Sequence, residues 1–159
     1  MKLQDDLFEQ IGDLDRTFAD LETTFGAAKT VDLSKSFWDL SADDRNKVDL
    51  LAQRFAAFQD TLHKKTFRTV AMLEGESPQT PREQVDLMDK LGVLSADDWM
   101  NVVREVRNDL SHEYVSVRRT EIAKQMLETT PIVLEAFCKL KVFCANRGYI
   151  PKTKSKCRP

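Results

Sequence analysis

Apolar residues recur every three or four positions from the start of the chain: Leu3, Leu7, Ile11, Leu14, Phe18, Leu21 and Phe25. That spacing draws one stripe down an amphipathic helix whose other face is acidic. Such a stripe serves either as a core face or as a dimer seam, and the core is the commoner use. Gly26 stands where a glycine often ends a helix. Residues 27–40 then read as a connection, with the bulky pair Phe37-Trp38 expected to fold back over the bundle as a hydrophobic lid. Ser41 followed by Asp44 has the form of an N-cap with an acid in the first turn. The helix it opens is expected to reach about Leu73, with Val48, Leu51, Phe55, Phe58 and Leu62 on its buried stripe. His63 lies beside that stripe with no acid or thiol at ligand spacing, and is read as a partly exposed helix residue rather than a catalytic one.

Gly75 to Pro78 breaks the pattern. Thr80-Pro81-Arg82-Glu83 follows as a capping box: Thr as N-cap, Pro at the first helical position, Glu at the third. A short helix to about Leu91 is stopped by Gly92. Ser95 opens the next, whose apolar face carries Trp99, Val102, Val103, Val106 and Leu110. Val117, Ile122 and Met126 mark a further helix, in which Thr130 and Pro131 predict a kink or a restart. Val133, Leu134, Phe137, Leu140 and Phe143 continue the apolar face, and Gly148 closes it. No stretch reads as a strand, a repeat or a glycine-rich phosphate loop. The expectation is an all-α antiparallel up-down bundle: one helical domain over residues 1–148 and a basic, mobile tail over 149–159.

Composition agrees with one domain. In 159 residues, 42% are hydrophobic and 31% charged, the balance of a soluble chain with room for a core. No apolar run approaches the roughly 20 residues that span a bilayer, and the opening Met-Lys-Leu-Gln-Asp-Asp lacks the apolar centre of a secretory signal. A cytoplasmic protein is expected, with no membrane partner. Cys138, Cys144 and Cys157 are an odd number without Cys-x-x-Cys spacing or an adjacent histidine. Neither a disulfide framework nor a zinc site is expected, and Cys138 and Cys144 are read as small apolar residues. The net charge of −2 hides a polarity, because residues 1–44 hold eleven acids against four bases while 136–159 hold seven bases and no acid. The basic end could meet RNA phosphates, an acidic partner surface or the acidic first helix, or it could simply be solvated.

The densest chemistry lies in Arg107-Asn108-Asp109-Leu110-Ser111-His112-Glu113-Tyr114. A neutral imidazole exchanges a proton near pH 7, and a guanidinium clamps phosphate oxygens while keeping its charge. On a regular helix, however, residues five apart point about 140° apart around the axis and lie roughly 7.5 Å apart along it. Either the chain leaves helical geometry at Asn108 to Ser111, or a second subunit completes the site. Arg104, one turn before Arg107, is a candidate second phosphate contact against the plainer reading of a surface salt bridge. Arg118 and Arg119 near the start of the next helix are poorly placed for its dipole, which favours an anion-facing role.

Arg107-x4-His112-x-Tyr114 resembles the Arg-x4-His-x-Tyr signature of HEPN-domain ribonuclease toxins of the HepT type, with Asn108 where that family often carries a polar residue. The resemblance covers eight residues. It implies a HEPN-type bundle of four main helices plus short extra ones, a homodimer joining two motifs in one cleft, and RNA cleavage with neither metal nor cofactor. It also implies a minimal nucleotidyltransferase antitoxin that moves AMP from ATP onto Tyr114. In that reading His112 exchanges the proton of the ribose 2′-OH or of the leaving 5′ oxygen. Arg107 holds the non-bridging oxygens, Asn108 orients phosphate or caps the turn, and Asp109 restrains Arg107 or caps the next helix. DNA, which lacks the 2′-OH, is not an expected substrate. The alternative from the same residues is a non-catalytic HEPN-like subunit that binds a nucleotide or a nucleotidyltransferase. A helical interaction protein without chemistry is the third.

Overall fold

The computed structural model describes residues 2–112, 118–152 and 157, with the side chain of His112 outside that set. Helix α1 (Lys2–Ala28) buries Leu7, Ile11, Leu14 and Leu21, as its stripe requires. It does not stop at Gly26. Ala27 and Ala28 are the strongest helix formers, and Ala28 is itself buried, so propensity and packing together outweigh one glycine. In the connection, Phe37 enters the core from a 3₁₀ turn (Phe37–Asp39), whereas Trp38 stays exposed with its ring edge-on to Phe37. The expected lid is therefore one aromatic, not two.

Helix α2 (Ala42–Asp60) is capped by Ser41, whose hydroxyl accepts the Asp44 N–H. It runs without a break into a π-helical segment (Thr61–Phe67) and then α3 (Arg68–Leu73). A π turn pairs residues five apart instead of four, and the Thr66 hydroxyl donates to the Thr61 carbonyl at that spacing. The wider turn lets Leu62 and Phe67, five apart, share the core, and it turns His63 inward. Gly75, at φ 79°, lets the chain reverse.

Helix α4 (Pro81–Lys90) begins with the complete capping box: Thr80 accepts the Glu83 N–H and Glu83 accepts the Thr80 N–H. Gly92 ends the turn after it, at φ 76°. Ser95 caps α5 (Ala96–Asp98), which passes through a second π-helical segment (Trp99–Val103) into α6 (Arg104–His112). Helix α7 (Arg119–Asn146) is continuous through Pro131. Of the expected kink or restart, the restart does not occur; the hydroxyls of Thr129 and Thr130 donate to the Gln125 and Met126 carbonyls at 2.8 and 2.7 Å within the same helix.

The contacts fix the directions of the rods. Thr24 meets Arg54, Phe18 meets Phe58 and Gln10 meets Thr69, so α1 runs antiparallel to α2–α3. Arg107 meets Asp60 and Trp99 meets His63, so α6 and the π segment before it also run against α2. Phe137 and Lys141 meet Phe18 and Asp15, which sets α7 against α1. The described residues form an all-α bundle without strands, and none of their helices is long and apolar enough to cross a membrane.

The C-terminal segment departs from expectation. The Tyr149 hydroxyl donates to Glu74 at 2.6 Å and lies 3.2 Å from the Leu73 carbonyl, Arg147 pairs with Glu74 at 2.8 Å, and Ile150 is buried. Cys157 is bridged to Cys138 with their Cα atoms 5.5 Å apart. The reading of residues 149–159 as a wholly mobile tail is thus corrected at Tyr149, Ile150 and Cys157, and the reading of Cys138 as a lone apolar residue is corrected with it. Cys144 is buried as a thiol, as expected. Nothing in a separation of 19 residues announces a bridge; only the return of the chain beside α7 brings the two sulfurs together.

Candidate phosphate-binding cleft

Two cavities illustrate opposite chemistries. The groove between α1 and α2, about 530 Å³, is lined by Asp6, Glu9, Asp13 and Asp20 with the bases Arg54 and Lys65, and this net negative wall disfavours polyanions. A smaller cleft of about 300 Å³ runs between α2–α3, the start of α4 and α6. Its charged lining is Lys64, Arg68, Arg104 and Arg107 against the single acid Asp60. In a chain of net charge −2, that local excess of bases is the strongest attraction for phosphate among the described cavities.

Arg107 is the best-positioned base. Its Nε and Nη2 donate to the two Asp60 oxygens at 2.9 and 2.8 Å, and its Nη1 donates to the Ser111 hydroxyl. Burial pushes the Asp60 carboxyl up, but the Arg107 hydrogen bonds and charge, aided by Lys64 at 3.4 Å, hold it below the usual carboxylate range. A guanidinium carries five N–H donors, so this clamp uses one edge and leaves a second hydrogen on each Nη. The clamp removes rotamer freedom before any ligand arrives.

His63 was expected to be partly exposed; it is buried, at 6% exposure. The indole N–H of Trp99 donates to its Nδ1 at 3.3 Å, with the Gln59 amide at 3.5 Å. Because an indole can only donate, Nδ1 must accept and the neutral ring carries its proton on Nε2. Burial first, then the charge of Arg104, lowers its pKa to about 4; the Pro81 carbonyl and Asp60 pull weakly the other way. Its Nε2 is buried without a hydrogen-bond partner, a deficit worth roughly 1–3 kcal/mol. Sequence reasoning missed this residue because it assumed one helical phase throughout. The two π segments meet at the His63–Trp99 pair, and such segments are frequent at functional sites. The five-residue step from Leu62 to Phe67 was the available signal.

The remaining expected site residues divide. Asn108 and Ser111 line the cleft with Arg104 and Arg107. Arg104 makes no salt bridge among the described residues, so its charge faces the cleft uncompensated. Asp109 neither restrains Arg107, which Asp60 does instead, nor caps α7; it pairs with Arg118 at 3.9 Å. Arg119 pairs with Asp49 and lies 3.8 Å from the Phe37 ring centre. With only 15% of its side chain exposed, it ties α7 to α2 and the 3₁₀ turn, which corrects its assignment as an anion-facing residue. Of the two alternatives for the motif, the departure from helical geometry at Asn108 to Ser111 is absent, since α6 includes them all. Positions 107 and 112 therefore sit about 140° apart around one unbroken helix. Tyr114 lies outside the described residues.

The described lining of the cleft suits an anion; its one histidine, His63, is sealed and poorly basic, and the side chain of His112 lies outside the described residues. Among the described residues, no three His, Cys, Asp or Glu converge as metal ligands. No protein family, characterised protein or solved structure matches this chain.

Proposed function

We propose that this chain is a HEPN-type endoribonuclease toxin that cuts RNA without a metal, working as a homodimer in the cytoplasm. The observation that carries the reading is Arg107, preset by Asp60 and Ser111 with its outer N–H groups left for phosphate in a cleft of four bases. Arg107 holds the non-bridging oxygens of the scissile linkage, where charge grows in the transition state. His112 exchanges the proton of the 2′-OH or of the leaving 5′ oxygen. Because α6 is unbroken, His112 acts with the Arg107 of a second copy, and a two-fold axis beside α6 brings the two together. The rods α1, α2–α3, α5–α6 and α7 serve as the four main helices. A nucleotidyltransferase antitoxin silences the site by moving AMP from ATP to Tyr114, adding bulk and a negative charge that repels RNA. Neither bridged cysteine lines the cleft, so reduction of that bridge in the cytoplasm leaves the site intact.

The test is RNA incubated with purified protein in EDTA. Products with 2′,3′-cyclic phosphate ends are expected, together with their loss in His112→Ala at unchanged thermal stability. Cleavage that survives His112→Ala, or intact RNA with a demonstrably dimeric wild type, overturns the proposal. One observation favours a second reading: a single chain presents a phosphate grip at Arg107, while position 112 lies about 140° further around the same helix. A non-catalytic nucleotide-binding subunit would then bind ATP in the cleft and leave RNA whole, so ATP titration and RNA cleavage on one preparation separate the two.

A further inference from the structure

We propose that His63, Arg68 and Arg104 form a second phosphate subsite beside Arg107, accepting a phosphate carried by an RNA strand or by a free nucleotide. This inference rests on the functional reading above only for the identity of the ligand.

Three observations carry it. The first is the sealed Nε2–H of His63. It makes no hydrogen bond of ordinary geometry, although the Pro81 carbonyl acts weakly on the ring, and it sits on a residue more than nine-tenths buried that lines the cleft. Trp99 locks the tautomer from the other side, so the ring can offer a proton but cannot accept one there, and an anionic oxygen is the partner it lacks. The second is the division of charge in the cleft. Lys64 and Arg107 both pair with Asp60, whereas Arg68 and Arg104 have no ion-pair partner among the described residues. Two uncompensated guanidinium groups beside an orphaned donor attract an anion far better than they stabilise a fold. The third is register. The π turns place the buried Trp99 against His63, which lines the cleft, a geometry that a plain α phase does not give.

A neutral imidazole also suits the position. It contributes a hydrogen bond without adding a fifth positive charge to Lys64, Arg68, Arg104 and Arg107. Because Nε2 is buried, a ligand oxygen reaches it only when a flexible side chain of the wall swings aside. Arg104 lines the same cleft, and its charge acts on the ring. One helical turn separates it from Arg107, and side chains three apart are neighbours. The two arginines can therefore grip successive phosphates of one strand, or two phosphates of one nucleotide.

The experiment uses full-length protein labelled with ¹⁵N-histidine. It is titrated in one arm with a 2′-O-methyl oligoribonucleotide, which cannot be cut by 2′-OH attack, and in the other with ATP. The Nε2–H signal of His63, distinguished from His112 by the His112→Ala variant, should move downfield as the ligand saturates. Arg104→Ala should weaken binding about tenfold and lower the slope of log K against log salt by about one. His63→Gln, which keeps a side-chain N–H, should retain more affinity than His63→Phe. A response to the oligonucleotide alone assigns the subsite to a strand, and a response to ATP alone assigns it to a nucleotide. Ligand bound with the His63 signal unmoved, unchanged affinity and salt slope in Arg104→Ala, or binding in neither arm overturns the subsite. RNA cleavage by a protein with a silent His63 sinks this inference alone, whereas intact RNA with an ATP-driven His63 shift sinks the nuclease reading alone.

Discussion

Acidification should destabilise this protein through His63. The ring has an ordinary pKa of 6.5 and a folded value of about 4. Burial is the main cause and Arg104 the next, with Lys64 adding a little, while the Pro81 carbonyl and Asp60 oppose them. Between those two values the unfolded chain takes up a proton that the native ring refuses, so stability rises with pH across the window. The contribution is complete above about pH 6.5, falls as the pH drops, and levels off below about 4. At 1.36 kcal/mol per pH unit the whole shift is worth about 3 kcal/mol, of which about 2 kcal/mol is lost by pH 5. Asp60, held low by Arg107, gives the same sign of dependence at lower pH, so it leaves the upper part of the window clear. Urea unfolding at pH 7.5, 6.5, 5.5 and 5 measures the effect in the wild type and in His63→Phe. The variant carries a constant offset because Trp99 loses its acceptor, but it should lack the slope between pH 6.5 and 5. Parallel curves for the two proteins would refute the assignment of a buried, neutral His63.

Two further outcomes follow from the packing. Asp60→Asn should lower stability by about 1–2 kcal/mol, because a bidentate, largely buried pair loses its charge. It should also reduce RNA cleavage by releasing Arg107, and unchanged cleavage kinetics would remove Asp60 from its positioning role. Phe137→Ala empties a fully buried site between the rings of Phe18 and Phe58 and should cost about 3–5 kcal/mol in urea unfolding; a loss below 1 kcal/mol would mean that α7 is not seated there.

The primary sequence alone determined the features whose causes lie within a turn or two of chain. The three- and four-residue stripes placed the helices and the core. Ser41, Thr80 and Ser95 cap as their local chemistry dictates, and Gly75, Gly92 and Gly148 take the positive φ that their positions ask of them. The basic residues of the cleft were partly legible too, since Arg104, Arg107, Asn108 and Ser111 share one helix. Tertiary structure decided what depends on distant partners. Asp60 stands 47 residues from Arg107 and Trp99 stands 36 from His63, so neither the arginine clamp nor the buried imidazole was visible locally. Packing likewise carried α1 past Gly26 and α7 through Pro131, and it brought Cys157 back to Cys138. Local propensities differ by about 1 kcal/mol per residue or less, proline excepted, while burying one large side chain is worth about 1.5–3 kcal/mol. Where the two disagree, burial prevails, and it turned His63 inward to the wall of the cleft.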